Sequence, residues 1–106
     1  MFRSIVTAKR KRIALIAHDN MKRDILEWAR YKIRVNAIAP GYVQTELNTD
    51  FFESEAGKAL IKRVPQRRLG EERELDGPLL LLASDASTFM TGSVIAVDGG
   101  HLVSSL

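Results

Sequence analysis

SDASTFMTGSVIAVDGG, residues 84–100, decides the fold of this chain. Its second half, Ser93–Val97, is rich in β-branched residues and reads as a strand that Asp98-Gly99-Gly100 ends. Its first half reads as a turn in which Asp85, Ser87 and Thr91 fix the geometry through side-chain to backbone bonds, and Asp98 shapes the terminal turn similarly. Just upstream, residues 75–83 form a helical stretch that contains Pro78. Proline breaks a helix interior and is tolerated best in the first turn, so the helix is expected to start near Asp76, with Asp76 as its cap, or else to kink.

Working back toward the N-terminus, the apolar run 13–17 (IALIA), bounded by charges, fits a strand buried on both faces of a parallel sheet. His18-Asp19-Asn20 turns the chain, and Asp19 or Asn20 caps a helix whose apolar stripe is Met21, Ile25, Trp28 and Ala29, with Leu26 beside it, through about residue 31. A second strand covers Arg34–Ala39 and stops at Pro40-Gly41, since proline offers no ladder donor. After a polar stretch, Phe52, Ala56, Ala59, Leu60 and Arg63 recur at helical spacing, which predicts a helix near Glu53–Val64 that Pro65 closes.

Strand, helix, strand, two helices, strand is the order of two right-handed crossovers around a parallel sheet. The expected fold class is therefore α/β: a three-layer Rossmann-like fragment with a small parallel sheet of about three strands and crossover helices. A basic arm at 1–12 would precede a single domain at 13–106, made of a strand-helix unit at 13–31 and the remainder at 32–106. The outer edge of the first strand would be bare, which invites pairing with a second copy.

Composition narrows the function classes. With 106 residues and 45% apolar content, the chain suits one small globular domain. It has no cysteine, which removes disulfides, thiolate metal sites and cysteine nucleophiles, and no metal site is expected. No apolar run approaches the roughly 18 residues of a membrane span, so no membrane partner is expected and the chain reads as cytoplasmic. The net charge of +3 is concentrated at Lys9–Arg12 and around Lys62–Arg68. No aromatic interleaving accompanies either cluster, so nucleic acid is not an expected partner.

Residues 84–100 together with IRVNAIAPGYVQTEL at 33–47 resemble the C-terminal part of the short-chain dehydrogenase/reductase family, and the likeness covers about residues 27–106. The resemblance implies an NAD(P)-dependent oxidoreductase, with NAD or NADP as cofactor. It also implies that Pro40, Gly41, Val43 and Thr45 lie against the nicotinamide end, Val43 through its backbone and Thr45 through its hydroxyl. A substrate lid would follow from about Gln44 to Arg68 and stay mobile, and the last helix and strand would pack on another subunit, giving a homo-oligomer. The family's glycine-rich pyrophosphate turn has no counterpart among the seven glycines. Its Tyr-x-x-x-Lys pair is also missing, because Tyr31 is followed four places on by Val35 and Tyr42 by Glu46. Aligning back from Asn36 puts His18 and Asp19 where the family uses a serine. No catalytic residue is assigned, and no hydride transfer is expected from the chain as it stands.

A second likeness lies further toward the N-terminus. KRIALIAHDNMK at 11–22, within about 11–29, resembles the opening strand and helix of methylglyoxal synthase, which implies a phosphate site at His18, Asp19 and Lys22. Lys22 would sit in the first turn of a helix whose N-terminal N–H groups favour an anion. The two likenesses meet near Glu27-Trp28-Ala29, the pattern of a chimera or of a truncated or rearranged member. Beside the dehydrogenase reading stand a non-catalytic scaffold that self-associates and a phosphate-binding remnant. For single residues the plainer readings are a solvated or structural His18, a helix-capping Asp19, and Trp28 and Phe89 as core or interface anchors.

Overall fold

The computed structural model of the chain describes residues 4–7, 12–15 and 22–104. These divide into two compact units, one holding the residues up to Ala39 together with Gly77–Ile95, the other Pro40–Asp76 together with the residues from Ala96 onward. Where one domain is expected from length alone, the chain leaves the first unit at the end of a strand and returns to it at the start of a helix.

The larger sheet has the order β1-β2-β3-β6, with β1 at Ser4–Thr7, β2 at Arg12–Leu15, β3 at Arg34–Pro40 and β6 at Val94–Val97, and all of these residues but Pro40, Ala96 and Val97 belong to the first unit. β2 and β3 run parallel, with Ile13 opposite Val35. Between β3 and β6, Ala37 N–H donates to Ser93 O and Gly41 N–H donates to Val97 O, an equal step along both chains that makes this pair parallel too. The three expected parallel strands are therefore present. Two differences stand out. Residues Ser4–Thr7, placed by sequence in a basic arm, form a strand antiparallel to β2, with Thr7 opposite Arg12. Ile5, Val6 and Thr7 are β-branched and suit a strand. That strand covers the β2 edge that was expected to be bare.

Val35 and Asn36 are successive residues of β3, so they point to opposite faces, and both are buried, at 1% and 3% exposure. The sheet is thus covered on both sides at β3. Helix α1 (Lys22–Ala29) connects β2 to β3. It ends in a paired bond set, Ile33 N–H to Trp28 O and Lys32 N–H to Ala29 O, with Lys32 in the left-handed region at φ 59° where a glycine is usual. Of the two expected anchors, Trp28 is half-buried and Phe89 is fully exposed, so Phe89 is no part of this core.

Helix α4 (Asp76–Ala83) begins where expected, with Pro78 in its first turn. Asp76 is already helical at φ −64°, ψ −43° and is not a cap, because a 3-10 turn over Glu72–Leu75 leads directly into the helix. The far end of α4 is closed from β3. The Arg34 guanidinium donates to Leu82 O and Ser84 O at 3.2 Å, to Ser87 O at 2.7 Å and to Ser87 Oγ at 2.9 Å. A cation at a helix C-terminus satisfies orphan carbonyls and opposes the negative end of the dipole. Asn36 continues the seam, its Nδ2 donating to Met90 O at 3.1 Å and its Oδ1 accepting from Ser93 N–H at 3.0 Å. Val35 N–H donates to Thr91 Oγ1 at 3.1 Å.

In the second unit, two-residue strands β4 (Val43–Gln44) and β5 (Gly70–Glu71) pair in parallel. Between them lie α2 (Thr49–Glu53) and α3 (Glu55–Arg63). One helix over Glu53–Val64 was expected. The break falls at Ser54, which is extended at φ −72°, ψ 164° and caps α3 by accepting from Gly57 N–H. The buried positions are Phe52, Gly57 and Val64, whereas Ala56 and Ala59 are exposed. Gly57 passes directly over the Phe51-Phe52 backbone, so the face that packs is chosen by close approach and not by apolar size.

Before α4, Glu71 and Glu74 form a reciprocal capping box, and Arg68 grips Glu74 with both guanidinium nitrogens at 2.6 and 2.9 Å. That hydrogen bond, followed by the Glu71 N–H, pulls the Glu74 carboxyl from its ordinary 4.5 down to about 2.

Two outcomes are expected. Replacing Arg34 with Met leaves the carbonyls it serves without their charged donor and should cost about 2–3 kcal/mol, read as a lowered urea midpoint at unchanged slope; a cost under about 0.5 kcal/mol would contradict the capping role. Because the folded pKa of Glu74 is depressed, its contribution is complete above the unfolded value and fades as pH falls through about 2. Carbon-detected NMR titration of Glu74 should find that low midpoint, and an ordinary midpoint near 4.5 would show the pair to be open in solution.

Candidate functional site

In open α/β sheets, ligands sit outside the carboxyl ends of the strands, and at the carboxyl end of β3 the chain forms the loop Pro40–Thr45. Gly41 gives this loop its path. Its N–H bonds Val97 O at 3.0 Å, and a Cβ on it would stand 2.7 Å from Asp98 Cβ and 2.8 Å from Asp98 Cα. Only a residue without a side chain passes there.

Asn48 then braces the loop from within. Its Oδ1 accepts from Thr45 N–H at 2.8 Å and its Nδ2 donates to Val43 O at 2.9 Å. Thr49 Oγ1 donates to Thr45 O at 2.8 Å. These bonds use the backbone of Thr45 and leave its hydroxyl out. Gly70 N–H donates to Tyr42 O at 2.9 Å, which ties the loop to β5. Together Pro40, Gly41, Val43 and Thr45 line a cleft of about 490 Å³, with Asn48, the buried Phe52, Glu72, Leu75 and Asp76 also in its lining. That volume lies within the range of small-molecule sites.

Beside the loop is the turn that follows β6. The Asp98 carboxylate accepts from Leu102 N–H and Gly100 N–H, both at 2.9 Å. The Leu102 bond first, then the Gly100 bond, holds its pKa below the ordinary 3.8. At neutral pH Asp98 therefore carries no proton to give and is a turn anchor. The Tyr42 ring lies edge-on to His101 at 5.3 Å and to Phe52 at 5.9 Å. His101 Nδ1 is buried with no hydrogen-bond partner.

The structure thus brings the four residues inferred for the nicotinamide end onto one loop and adds Asn48, which sequence reasoning missed. Its signal was faint, an Asn three residues beyond Thr45 at the entry to a helix. For the alternative set, His18 and Asp19 lie outside the described residues, and Lys22 is the first residue of α1. Among the described residues, no cluster of His, Asp or Glu is arranged to hold a metal ion, and no helix is long and apolar enough to cross a membrane.

Comparison with known proteins follows the same elements. The family model described as enoyl-(acyl carrier protein) reductase matches residues 20–101. It begins ahead of Glu27, so the whole of α1, including Lys22, falls inside it. A 2-dehydro-3-deoxy-D-gluconate 5-dehydrogenase from Pseudoalteromonas atlantica is 45% identical over 78 residues, 72% of this chain and 30% of that enzyme. A 5-keto-D-gluconate 5-reductase from Escherichia coli is 48% identical over 79 residues, 74% of this chain and 31% of that enzyme. A gluconate 5-dehydrogenase from Burkholderia cenocepacia, solved in complex with NADP and tartrate, superposes with a TM-score of 0.72 at 42% identity, over 79% of this chain and 33% of that one. The chain spans under one third of the length of these curated relatives. A family match that runs from the start of α1 through the Pro40–Thr45 loop to the Asp98–Gly100 turn places the chain in the short-chain dehydrogenase/reductase family.

Proposed function

We propose that this chain supplies the nicotinamide-side loop and the substrate lid of an NAD(P)-dependent dehydrogenase acting on a polyhydroxylated carbonyl or alcohol such as a sugar acid. The observation that carries the reading is the braced loop Pro40–Thr45 at the carboxyl end of β3, which lines a cleft together with Asn48 and Phe52. The residues present fit a nicotinamide. Its carboxamide needs an acceptor for N–H, and the Val43 carbonyl has a second lone pair beside the one Asn48 occupies. The Thr45 hydroxyl can donate or accept. When bound, the cofactor supplies the hydride chemistry, and the chain's own residues orient its ring end and screen the cleft with α2.

The substrate class rests on the sugar-acid activities named for the relatives, 5-keto-D-gluconate reduction among them. On this reading the 106 residues bind the ring end without transferring hydride by themselves, because neither tyrosine has a lysine four places on, Val35 and Glu46 standing there.

Titration of the full chain with NADPH, followed by two-dimensional amide NMR, tests the reading. Saturable shifts at Gly41, Val43 and Thr45 are expected, and a spectrum indifferent to NADPH would refute it. Asn48→Ala removes two bonds worth about 1 kcal/mol each and should weaken binding roughly 5- to 30-fold while the fold persists.

A further inference from the structure

The second unit contains one short segment that touches both the Pro40–Thr45 loop and the return end of the lid. On the loop side, the chain at Gly41 passes Asp98 with no room for a Cβ between them. At the lid's return end, Gln66 N–H donates to Gly99 O at 3.1 Å. A Cβ on Gly99 would stand 3.0 Å from Val64 Cγ1, and one on Gly100 would stand 3.1 Å from the Pro65 ring. Val64 is buried at 2% exposure, so this end of α3 is seated and not merely nearby. On the loop side again, Tyr42 meets His101 edge-on, and Phe52 of α2 meets Tyr42 edge-on.

We infer that the turn Asp98–His101 is a positioning device that seats the return end of the lid and the cofactor loop on one piece of backbone, so that the lid's return end cannot shift without moving the loop. The inference rests on the functional reading above for its meaning, and on geometry alone for the coupling. Gly99 and Gly100 take consecutive left-handed conformations, φ 63° and 93°, which an L side chain adopts only with strain. The Asp98 carboxylate locks that path by bonding Gly100 and Leu102 N–H. Neither glycine can yield to a displaced Val64 or Pro65 by rotating a side chain, so displacement must pass along the backbone to Asp98 and Gly41.

Amide hydrogen exchange on the full chain, without ligand, tests this with two variants. Gly99→Ala pushes against Val64 from the turn, and Pro65→Ala removes the ring from the lid side with no backbone strain at the turn. Both should raise exchange at the α3 amides and at Gly41 and Gly70 together, by at least about tenfold, with Ala37 in the first unit unchanged as the control for global unfolding. If Gly99→Ala also exposes Ala37, Pro65→Ala decides alone. Faster exchange in α3 with Gly41 and Gly70 unmoved would overturn the coupling, as would no change in either. NADPH titration of Pro65→Ala is the second readout: weakening of at least about fivefold is expected, and an unchanged affinity would count against the coupling. Should the parent chain itself ignore NADPH, the cofactor reading fails while the exchange result still decides the coupling.

Discussion

The second unit depends on one close approach, that of Gly41 to Asp98. Two backbone segments lie so near each other there that neither a methyl group nor a water can intervene, and the Gly41 N–H to Val97 O bond fixes their register. Once this contact is made, the direction in which the chain leaves β3 is set. Val43 can then pair with Gly70, and Asn48 can reach back to Val43 and Thr45. The backbone groups of the loop at Tyr42, Val43 and Thr45 are satisfied locally, by Gly70, Asn48 and Thr49. Preorganisation of this kind lowers the cost of ordering a site on binding.

The first unit solves a different problem with similar economy. A helix must end and a long loop must reach β6, and both leave carbonyls and amides that need partners. Arg34, Val35 and Asn36 supply them from three consecutive positions of β3. The guanidinium takes the end of α4, the Val35 amide takes Thr91, and Asn36 takes Met90 and Ser93. This explains why residues 33–47 and 84–100 read as a matched pair in the sequence, since the side chains of one complete the backbone of the other. It also explains a buried Asn at a position that the strand pattern alone would fill with an apolar residue.

The elements with strong local signals were legible. A run rich in β-branched residues marked β6, Pro78 marked the start of α4, and Pro40-Gly41 marked the end of β3 and the loop that lines the cleft. Less legible were the features that depend on contact between distant segments. The pairing of β4 with β5 spans two residues per strand, too short for any alternation to appear. The division of residues 49–63 into α2 and α3 turns on Gly57 crossing Phe51 and Phe52, which the apolar periodicity of Ala56 and Ala59 concealed. Lys32 at positive φ carries no sequence mark, because glycine is the usual signal for that conformation.

By itself, the sequence determined the α/β class, the three parallel strands, the place of the Pro40–Thr45 loop and the kinship of residues 33–47 and 84–100 with the dehydrogenases. Each of these follows from propensity, turn chemistry or a local string of residues, which act over a few positions. Tertiary structure alone decided which glycines are sterically required, that Asn48 holds the loop, that Ser4–Thr7 covers β2, and that the turn after β6 packs against Gly41, Val64 and Pro65. Those outcomes rest on atoms brought to within van der Waals distance from opposite parts of the chain, and no spacing along the sequence encodes a distance of that kind.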